Sequence, residues 1–313
     1  MIRYRSFHAA MRERFGCKVY KLALDGGMTC PNRDGTLDTR GCIFCGEQGS
    51  GAFAAPRCGS VLAQLDEARA RVARKNRGGK YVAYFQSFTN TYAPVRELED
   101  LFTQAMEPED VCALSVATRP DCLPEETVAL LAGLSRRKPV WVELGLQTIH
   151  PETARYIRRG YDLPVYDEAV RRLKEAGLEV ITHVILCLPG ETREDMLETV
   201  RYVGRSGADG IKLQLLHVLA DTDLAEDWRA GKVIVPTLEE YISLLEDCLA
   251  VLPPDMVIHR LTGDGAKRDL LAPLWTGDKK QVLNAMQTAF ERDGVRQGSR
   301  WEENSRLHPG IPG

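Results

Sequence analysis

The sequence predicts an α/β fold in which six strand–helix units form a partial (β/α)6 barrel. Short apolar segments alternate with longer amphipathic ones along most of the chain, as in parallel sheets with right-handed helical crossovers. The segment Val180–Leu188 is almost continuously apolar, which is typical of a strand covered on both faces. A length of 313 residues suits one such barrel. A doubly wound sheet is the alternative.

The strands are rich in apolar and β-branched residues and are expected at Cys17–Leu24, Tyr81–Phe88, Ala113–Arg119, Val140–Gln147, Val180–Leu188 and Gly210–Val218. The helices follow these strands, and we expect them at Val61–Asn76, Val95–Met106, Pro124–Arg136, Pro151–Arg159, Pro164–Ala176, Thr192–Arg205 and Leu238–Val251. Pro124 suits the first turn of its helix, and Gly177 suits the end of another.

A C-terminal α/β extension is predicted from a strand at Val257–Leu261 and a helix at Lys279–Arg292. We therefore divide the chain into a core barrel at 1–235, which contains a long loop at 25–56, and an extension at 236–313 packed on the barrel. The tail from Gly294 is polar and is expected to be frayed.

Composition excludes several classes of protein. The net charge of −3 gives no overall attraction to nucleic acid, although a local basic patch would. No run approaches the ~18 apolar residues of a membrane span, and the Arg-rich start has no apolar core of an export signal. A cytoplasmic, membrane-free protein is expected, so the nine cysteines are interpreted as reduced thiols or metal ligands.

Three cysteines lie in one loop with the spacing C-x11-C-x2-C, at Cys30, Cys42 and Cys45. Thiolates bind zinc or iron–sulfur clusters. Structural zinc takes four protein ligands, whereas three cysteines would leave one iron of a [4Fe–4S] cluster open to another ligand. The loop follows the first strand, and so lies at the face where barrel active sites are found. Zinc with a distant ligand such as Cys58 remains the alternative.

The segment Cys30–Gly46, which begins Cys-Pro-Asn-Arg-Asp-Gly-Thr, resembles the cluster loop of a small radical S-adenosylmethionine (SAM) family related to the catalytic subunit of elongator. The resemblance extends to Arg260-Leu-Thr-Gly-Asp-Gly and Leu271-Ala-Pro-Leu-Trp near the end of the chain, without an acetyltransferase domain. It implies a radical SAM barrel whose metal ligands are the three loop cysteines.

The resemblance also implies which residues contact SAM. At the end of the second strand, Gln86, Ser87 and Thr89 look like counterparts of residues that bind the SAM amino group. Arg119, after the third strand, is a plausible partner for the SAM carboxylate because guanidinium pairs with carboxylates in a two-pronged way. The alternative is a polar turn and a solvated arginine.

Later strands carry further candidates. Glu143 and Gln147 share one face of the fourth strand, and the family pattern places such groups near the SAM ribose or methionyl moiety. His183 belongs to the strand that packs beside adenine. A structural salt bridge is the alternative for Glu143. Possible substrate contacts on the sixth strand are Lys212, Gln214 and His217; no catalytic acid or base is assigned.

The implied activity is cleavage of SAM to a 5′-deoxyadenosyl radical, with a [4Fe–4S] cluster and SAM as cofactors and a reductant such as flavodoxin or ferredoxin as partner. The elongator kinship points to modification of the wobble uridine C5 side chain of transfer RNA (tRNA). Basic clusters compatible with RNA are Arg69–Lys80, Arg136–Lys138 and Arg158 with Arg159. The alternatives are a small-molecule or protein substrate, or a zinc-stabilised RNA-binding protein.

Overall fold

A computed structural model describes residues 3–46, 49, 54–55, 59–76, 78–263, 265 and 267–301. Cys58, Arg77 and Asp264 lie outside the described residues. The strands are β1 Val19–Leu24, β2 Lys80–Phe85, β3 Val111–Thr118, β4 Val140–Gln147, β5 Glu179–Leu186, β6 Gly210–Leu215, β7 Val218–Leu219, β8 Val257–Arg260 and β9 Leu270–Ala272. The α-helices are α1 Phe7–Phe15, α2 Val61–Val72, α3 Val95–Met106, α4 Glu125–Ser135, α5 Pro151–Tyr156, α6 Leu163–Glu175, α7 Arg193–Arg205, α8 Asp223–Arg229, α9 Leu238–Val251 and α10 Lys279–Arg292.

The main sheet has seven parallel strands in the order β1-β2-β3-β4-β5-β6-β8. All seven contribute residues to the lining of one cavity, so the sheet curls into an open barrel around it. The predicted α/β partial barrel is confirmed. The seventh strand, β8, comes from the segment that the sequence assigned to an extension; the division at 235/236 itself stays a prediction.

Burial explains why these segments form strands and helices. Every residue of β3 is buried, as expected of a parallel strand between the barrel interior and the surrounding helices. Helices α7 and α9 begin with capping boxes, Thr192 with Asp195 and Thr237 with Glu240, which satisfy otherwise unpaired backbone N–H groups. Among the described residues, no helix is long and apolar enough to cross a membrane.

Some predicted boundaries were wrong, and the backbone shows why. Strands β2, β5 and β6 end at Phe85, Leu186 and Leu215, two or three residues before the predicted ends. Phe88 and Cys187 have φ angles of 54° and 65°, a left-handed conformation that does not continue an extended strand. The predicted strand ends therefore belong to rim loops, which are the segments that carry candidate site residues.

Both chain ends differ from expectation. The sequence analysis did not predict α1, whose Phe7 is buried beneath the sheet. The tail was expected to be frayed from Gly294, but the Gln297 amide donates to the carbonyls of Pro253 and Met256 at 2.6 and 2.8 Å. That expectation is wrong as far as residue 301, because Gln297 is only 5% exposed and ties the tail to the barrel.

Candidate active site

The barrel encloses a cavity of about 560 Å³ whose wall runs from the cysteine loop to the middle of the sheet. Because the strands are parallel, the loops that follow them meet at one rim. Cys30, Cys42 and Cys45 line the cavity at this rim. The cavity is therefore the place where a group bound by the loop would meet a substrate.

The cysteine loop is held by two side chains of its own. The Asn32 amide donates to the carbonyl of Arg158 at 2.7 Å and reaches the Cys42 sulfur at 3.5 Å. The Arg33 guanidinium donates to the carbonyls of Cys45 and Gly46 at 2.6 and 2.7 Å. These bonds tie the start of the loop to its end and to the segment that follows α5.

The three thiols do not converge as closely as the ligands of one metal ion would. A tetrahedral zinc with Zn–S bonds of about 2.3 Å holds its thiolates less than about 4 Å apart. Within the described part of the chain, one set of metal-ligand groups converges to within 4.8 Å; it is His150, Asp195 and Glu198, not the cysteines. The assignment of Cys30, Cys42 and Cys45 as cluster ligands stays a prediction.

Burial keeps two thiols of the cysteine loop protonated. Burial, together with the neighbouring thiols of Cys45 and Cys30 and against a lowering contact from Asn32, raises the pKa of Cys42 to about 12. Burial also raises the pKa of Cys45. Thiolates form here when a positively charged centre replaces the protons.

Three predicted SAM contacts follow β2. Gln86 and Thr89 line the cavity, whereas Ser87 lies just behind its surface and is 2% exposed. The Ser87 hydroxyl is buried and has no hydrogen-bond partner among the described residues. A buried polar atom left without a partner is costly, so this segment fits a polar ligand that approaches from the cavity.

Gln147, like Ser87, has a buried polar atom that lacks a hydrogen-bond partner among the described residues. It has a φ of 70° and sits where the pairing of β4 with β5 shifts register. Its Oε1 is buried without a hydrogen-bond partner in the described structure, and the residue lines the cavity. A glutamine held in a left-handed conformation with an orphaned amide oxygen is suited to receive a donor from a ligand.

The Arg119 guanidinium already forms a bidentate ion pair within the protein. Its Nε and Nη2 donate to the two carboxylate oxygens of Asp121 at 2.9 and 2.7 Å, and the guanidinium lies 5.3 Å from the centre of the Tyr161 ring. The arginine lines the cavity. The predicted pairing with the SAM carboxylate stays a prediction; the structure shows that Asp121 orients the guanidinium at the rim.

Glu143 is the centre of a buried network in the middle of the barrel. Its side chain has no exposed area. Its Oε1 accepts hydrogen bonds from Lys21 and Ser115, both at 2.5 Å, and its Oε2 accepts from His183 at 2.7 Å and from Lys212. These cations hold the pKa of Glu143 well below its usual value. The salt-bridge alternative is therefore what the structure shows, and contact with SAM stays a prediction.

The two lysines flank one tyrosine. The Lys212 ammonium donates to the Tyr84 hydroxyl at 2.8 Å, and the ammonium groups of Lys21 and Lys212 lie 4.7 and 4.5 Å from the centre of the Tyr84 ring. Lys21 also contacts His259 Nδ1 at 3.4 Å. Burial lowers the pKa of both lysines, that of Lys212 to about 7, despite the opposing effect of Glu143.

The remaining predicted residues also reach the cavity. His183 is held neutral, because burial and Lys212 lower its pKa to about 4 while its ring donates to Glu143. Gln214 lines the cavity beside Lys212. His217 lies beyond the end of β6, where its Nδ1 is 2.9 Å from the carbonyl of Leu215 and its ring packs against Gly263. The structure thus brings all the predicted residues except Ser87 onto one surface.

Sequence reasoning missed four members of the network: Lys21, Tyr84, Ser115 and His259. One signal was available. Lys21 is a charged residue within the apolar strand segment Val19–Leu24, the same pattern that singled out Glu143. The sequence analysis applied that argument to the fourth strand and not to the first.

Comparison with known proteins identifies the class to which this arrangement belongs. The sequence profile of the Radical SAM superfamily matches residues 39–203, and that of the Radical_SAM C-terminal domain matches residues 208–292. The chain belongs to the radical SAM superfamily. It is an enzyme of that superfamily, and its cofactors are a [4Fe–4S] cluster and SAM.

Two proteins of similar sequence and one solved structure of similar fold illustrate the relationship. The Bacillus subtilis protein YtqA is 44% identical over 308 residues, covering 97% of this chain and 96% of YtqA. Elongator complex protein 3 of Schizosaccharomyces pombe is 25% identical over 252 residues, covering 74% of this chain and 45% of that protein. The solved structure of archaeal Methanocaldococcus infernus Elp3, lacking its N-terminus, has a TM-score of 0.65 at 19% identity and covers 89% of this chain and 64% of that one. This last likeness shows the shared fold.

Proposed function

We propose that this radical SAM enzyme modifies the C5 side chain of the wobble uridine of tRNA. The resemblance to the elongator subunit suggests this substrate, and one observation from the structure supports an anionic one. Among the described residues, the cavity is lined by one carboxylate, Glu143, and by six cationic side chains: Lys21, Arg33, Arg119, Arg159, Lys212 and Arg260. One of these cations, Arg119, is paired with Asp121 just outside the lining. In a chain of net charge −3 this is a strong local excess of positive charge.

Aromatic side chains support a nucleobase in the same place. Phe44, Phe88 and Tyr161 line the cavity near the cysteine rim, and Tyr84 lines it beside Lys21 and Lys212. An unstacked base is commonly held between aromatic rings and cationic side chains. A base turned out of an anticodon loop would find both kinds of surface here.

The proposed cofactor residues divide into two groups. Cys30, Cys42 and Cys45 would hold the cluster, with Asn32 and Arg33 fixing their loop. The orphaned or cavity-lining polar groups would bind SAM; they are Gln86, Ser87, Thr89, Arg119, Gln147 and His183. Glu143, whose oxygens already accept from Lys21, Ser115, His183 and Lys212, would position Lys21 and Lys212 at the inner end of the cavity. When bound, the cluster and SAM supply the electron and the reactive carbon that remove hydrogen from an unreactive C–H bond. The chain itself orients SAM and encloses the substrate.

The basic clusters predicted from the sequence do not support RNA binding at this rim. Helix α2 runs back from β1 to the start of β2, so the Arg69–Lys80 cluster lies at the opposite end of the barrel, as does Arg136–Lys138 before β4. Arg69 pairs with Asp110 and Asp66. Arg159 is 3% exposed and donates to backbone carbonyls. The RNA contact is therefore expected at the cysteine rim.

The test uses protein reconstituted anaerobically with iron and sulfide, reduced, and incubated with SAM and total tRNA from a strain lacking the gene. Digested nucleosides are analysed by mass spectrometry. We expect a mass change in a uridine derivative with wild type and none with Cys42→Ala. Reversing Arg136 and Arg137 to glutamate, at the far rim, should leave the change intact.

Two results would contradict the proposed substrate or the proposed place of RNA contact. If tRNA nucleosides are unchanged while SAM cleavage is stimulated by a protein-free, RNA-free cell extract, the substrate is a small molecule and the tRNA proposal fails. If reversal of Arg136 and Arg137 abolishes tRNA modification, the RNA contact is not at the cysteine rim.

A further inference from the structure

The network in the middle of the barrel carries more positive than negative charge. Lys21 and Lys212 both pair with the single carboxylate of Glu143, and their side chains are only 17% and 5% exposed. Arg260 lines the same cavity. A buried ammonium is costly unless it is fully paired. The floor of the cavity, which we define as Lys21, Tyr84, Glu143 and Lys212, is therefore short of one negative charge.

The two lysines also have more hydrogen-bond donors than there are acceptors around them in the described structure. An ammonium group has three N–H donors. Lys212 uses two of them, on Tyr84 and Glu143, and Lys21 uses two, on Glu143 and His259. Neither lysine has a third acceptor among the described residues. Each lysine therefore retains one donor that no oxygen or nitrogen of the described residues accepts, although the Lys21 ammonium also lies 5.2 and 5.7 Å from the ring centres of Phe7 and Trp141. Both lysines line the same cavity.

The oxygens of Glu143 cannot serve these remaining donors. They already accept from four side chains, Lys21, Ser115, His183 and Lys212, and a carboxylate has about four acceptor sites. The centre of the Tyr84 ring lies within 5 Å of both ammonium groups. Tyr84 therefore packs against both lysines. An anion placed against both ammonium groups would complete the arrangement.

We propose that the floor of the cavity binds a carboxylate group of the substrate, with one oxygen on Lys21 and the other on Lys212. The inference rests on the proposed function, because it takes the bound molecule to be the substrate of this radical SAM enzyme. A carboxylate carries one charge and two acceptor oxygens, which matches one missing charge and two unused donors. A phosphate carries more charge and more oxygens than the floor can satisfy.

Two sources of carboxylate fit this description: a carboxylate on the C5 side chain of a uracil base, or a free carboxylic acid that enters with the base. Both reach the floor from the rim through the same cavity. The cysteine loop lies at one end of that cavity and the lysine pair lies further in. A carboxylate anchored on the lysines would hold the rest of its molecule toward the cysteines.

The experiment measures binding to protein reconstituted with its cluster, at constant ionic strength set with chloride. The probes are acetate, inorganic phosphate, uracil and 5-carboxyuracil, and the readout is the dissociation constant from isothermal titration. We expect acetate to bind more tightly than phosphate, and Lys21→Met and Lys212→Met each to weaken acetate at least tenfold. Lys75→Met, an exposed lysine outside the cavity, is the matched control and should bind acetate like wild type.

The probes separate the two sources. Tighter binding of 5-carboxyuracil than of acetate or uracil assigns the carboxylate to the base; equal binding of acetate and 5-carboxyuracil assigns it to a free acid. Lys212→Arg keeps the charge and should retain most of the affinity, which guards against misfolding of the methionine variants.

Three results would overturn the inference: acetate affinity unchanged in both methionine variants, equal loss in Lys75→Met, or phosphate bound as tightly as acetate. Failure of the tRNA proposal is distinguishable, because tRNA would then remain unmodified while acetate still bound in a lysine-dependent way. Conversely, tRNA modification without lysine-dependent acetate binding would refute the carboxylate subsite alone.

Discussion

Replacing Glu143 by glutamine should destabilise the fold strongly. The substitution keeps the size of the side chain but removes the only negative charge that Lys21 and Lys212 share, and it turns one acceptor oxygen into a donor that faces other donors. Breaking one partner of a buried ion pair costs about 3–5 kcal/mol. Since total stabilities are about 5–15 kcal/mol, this is a large fraction.

The assay is urea unfolding of the cluster-free protein, followed by tryptophan fluorescence, for wild type, Glu143→Gln and the exposed Glu194→Gln as control. A double variant, Glu143→Gln with Lys212→Met, should be less destabilised than the sum of the two single variants, because it also removes a stranded charge. If the unfolding free energy of Glu143→Gln is within about 1 kcal/mol of wild type, the buried network does not hold the barrel together.

Three further outcomes are expected. Gln147→Ala should raise the SAM dissociation constant about threefold to tenfold, the range of one lost hydrogen bond, with unchanged iron content; unaltered SAM binding would remove Gln147 from the SAM site. Arg33→Met should speed cluster loss in air, measured as bleaching of visible absorption, because Arg33 holds the carbonyls of Cys45 and Gly46; loss at the wild-type rate would contradict that role. As pH falls from about 6.5 to about 4, stability should decline by up to about 3 kcal/mol, because unfolded His183 gains a proton that the buried ring, with its lowered pKa, resists; His183→Gln should show a shallower decline in urea unfolding.

The fold could be predicted because its signals are local. Alternating apolar segments and helix-terminal residues are read from neighbouring positions, and Val95–Met106, Val140–Gln147, Leu238–Val251 and Lys279–Arg292 were predicted with their observed bounds. Errors concentrated where strands end, because a left-handed residue such as Phe88 or Cys187 stops a strand without changing its apolar pattern.

The candidate site was likewise predictable only where its signals lie close together in the sequence. The cysteine spacing is contained in one loop and was visible in the sequence. The lysine pair was not, because Lys21 and Lys212 are 191 positions apart in the chain numbering and meet only when the sheet curls. Likewise, Arg159 appeared to be part of a basic patch, and only the structure shows that its donors are used on the carbonyls of Leu146 at the end of β4 and of Thr148 just after it.

The most direct test of the account is anaerobic reconstitution with iron and sulfide, comparing wild type with Cys42→Ala and with Cys248→Ala, a buried cysteine outside the loop. Iron content, visible absorption and 5′-deoxyadenosine release from SAM after reduction are recorded together. The account predicts a cluster and product in wild type and Cys248→Ala, and loss of both in Cys42→Ala. A wild-type protein that takes up zinc, binds no iron and never cleaves SAM would contradict it.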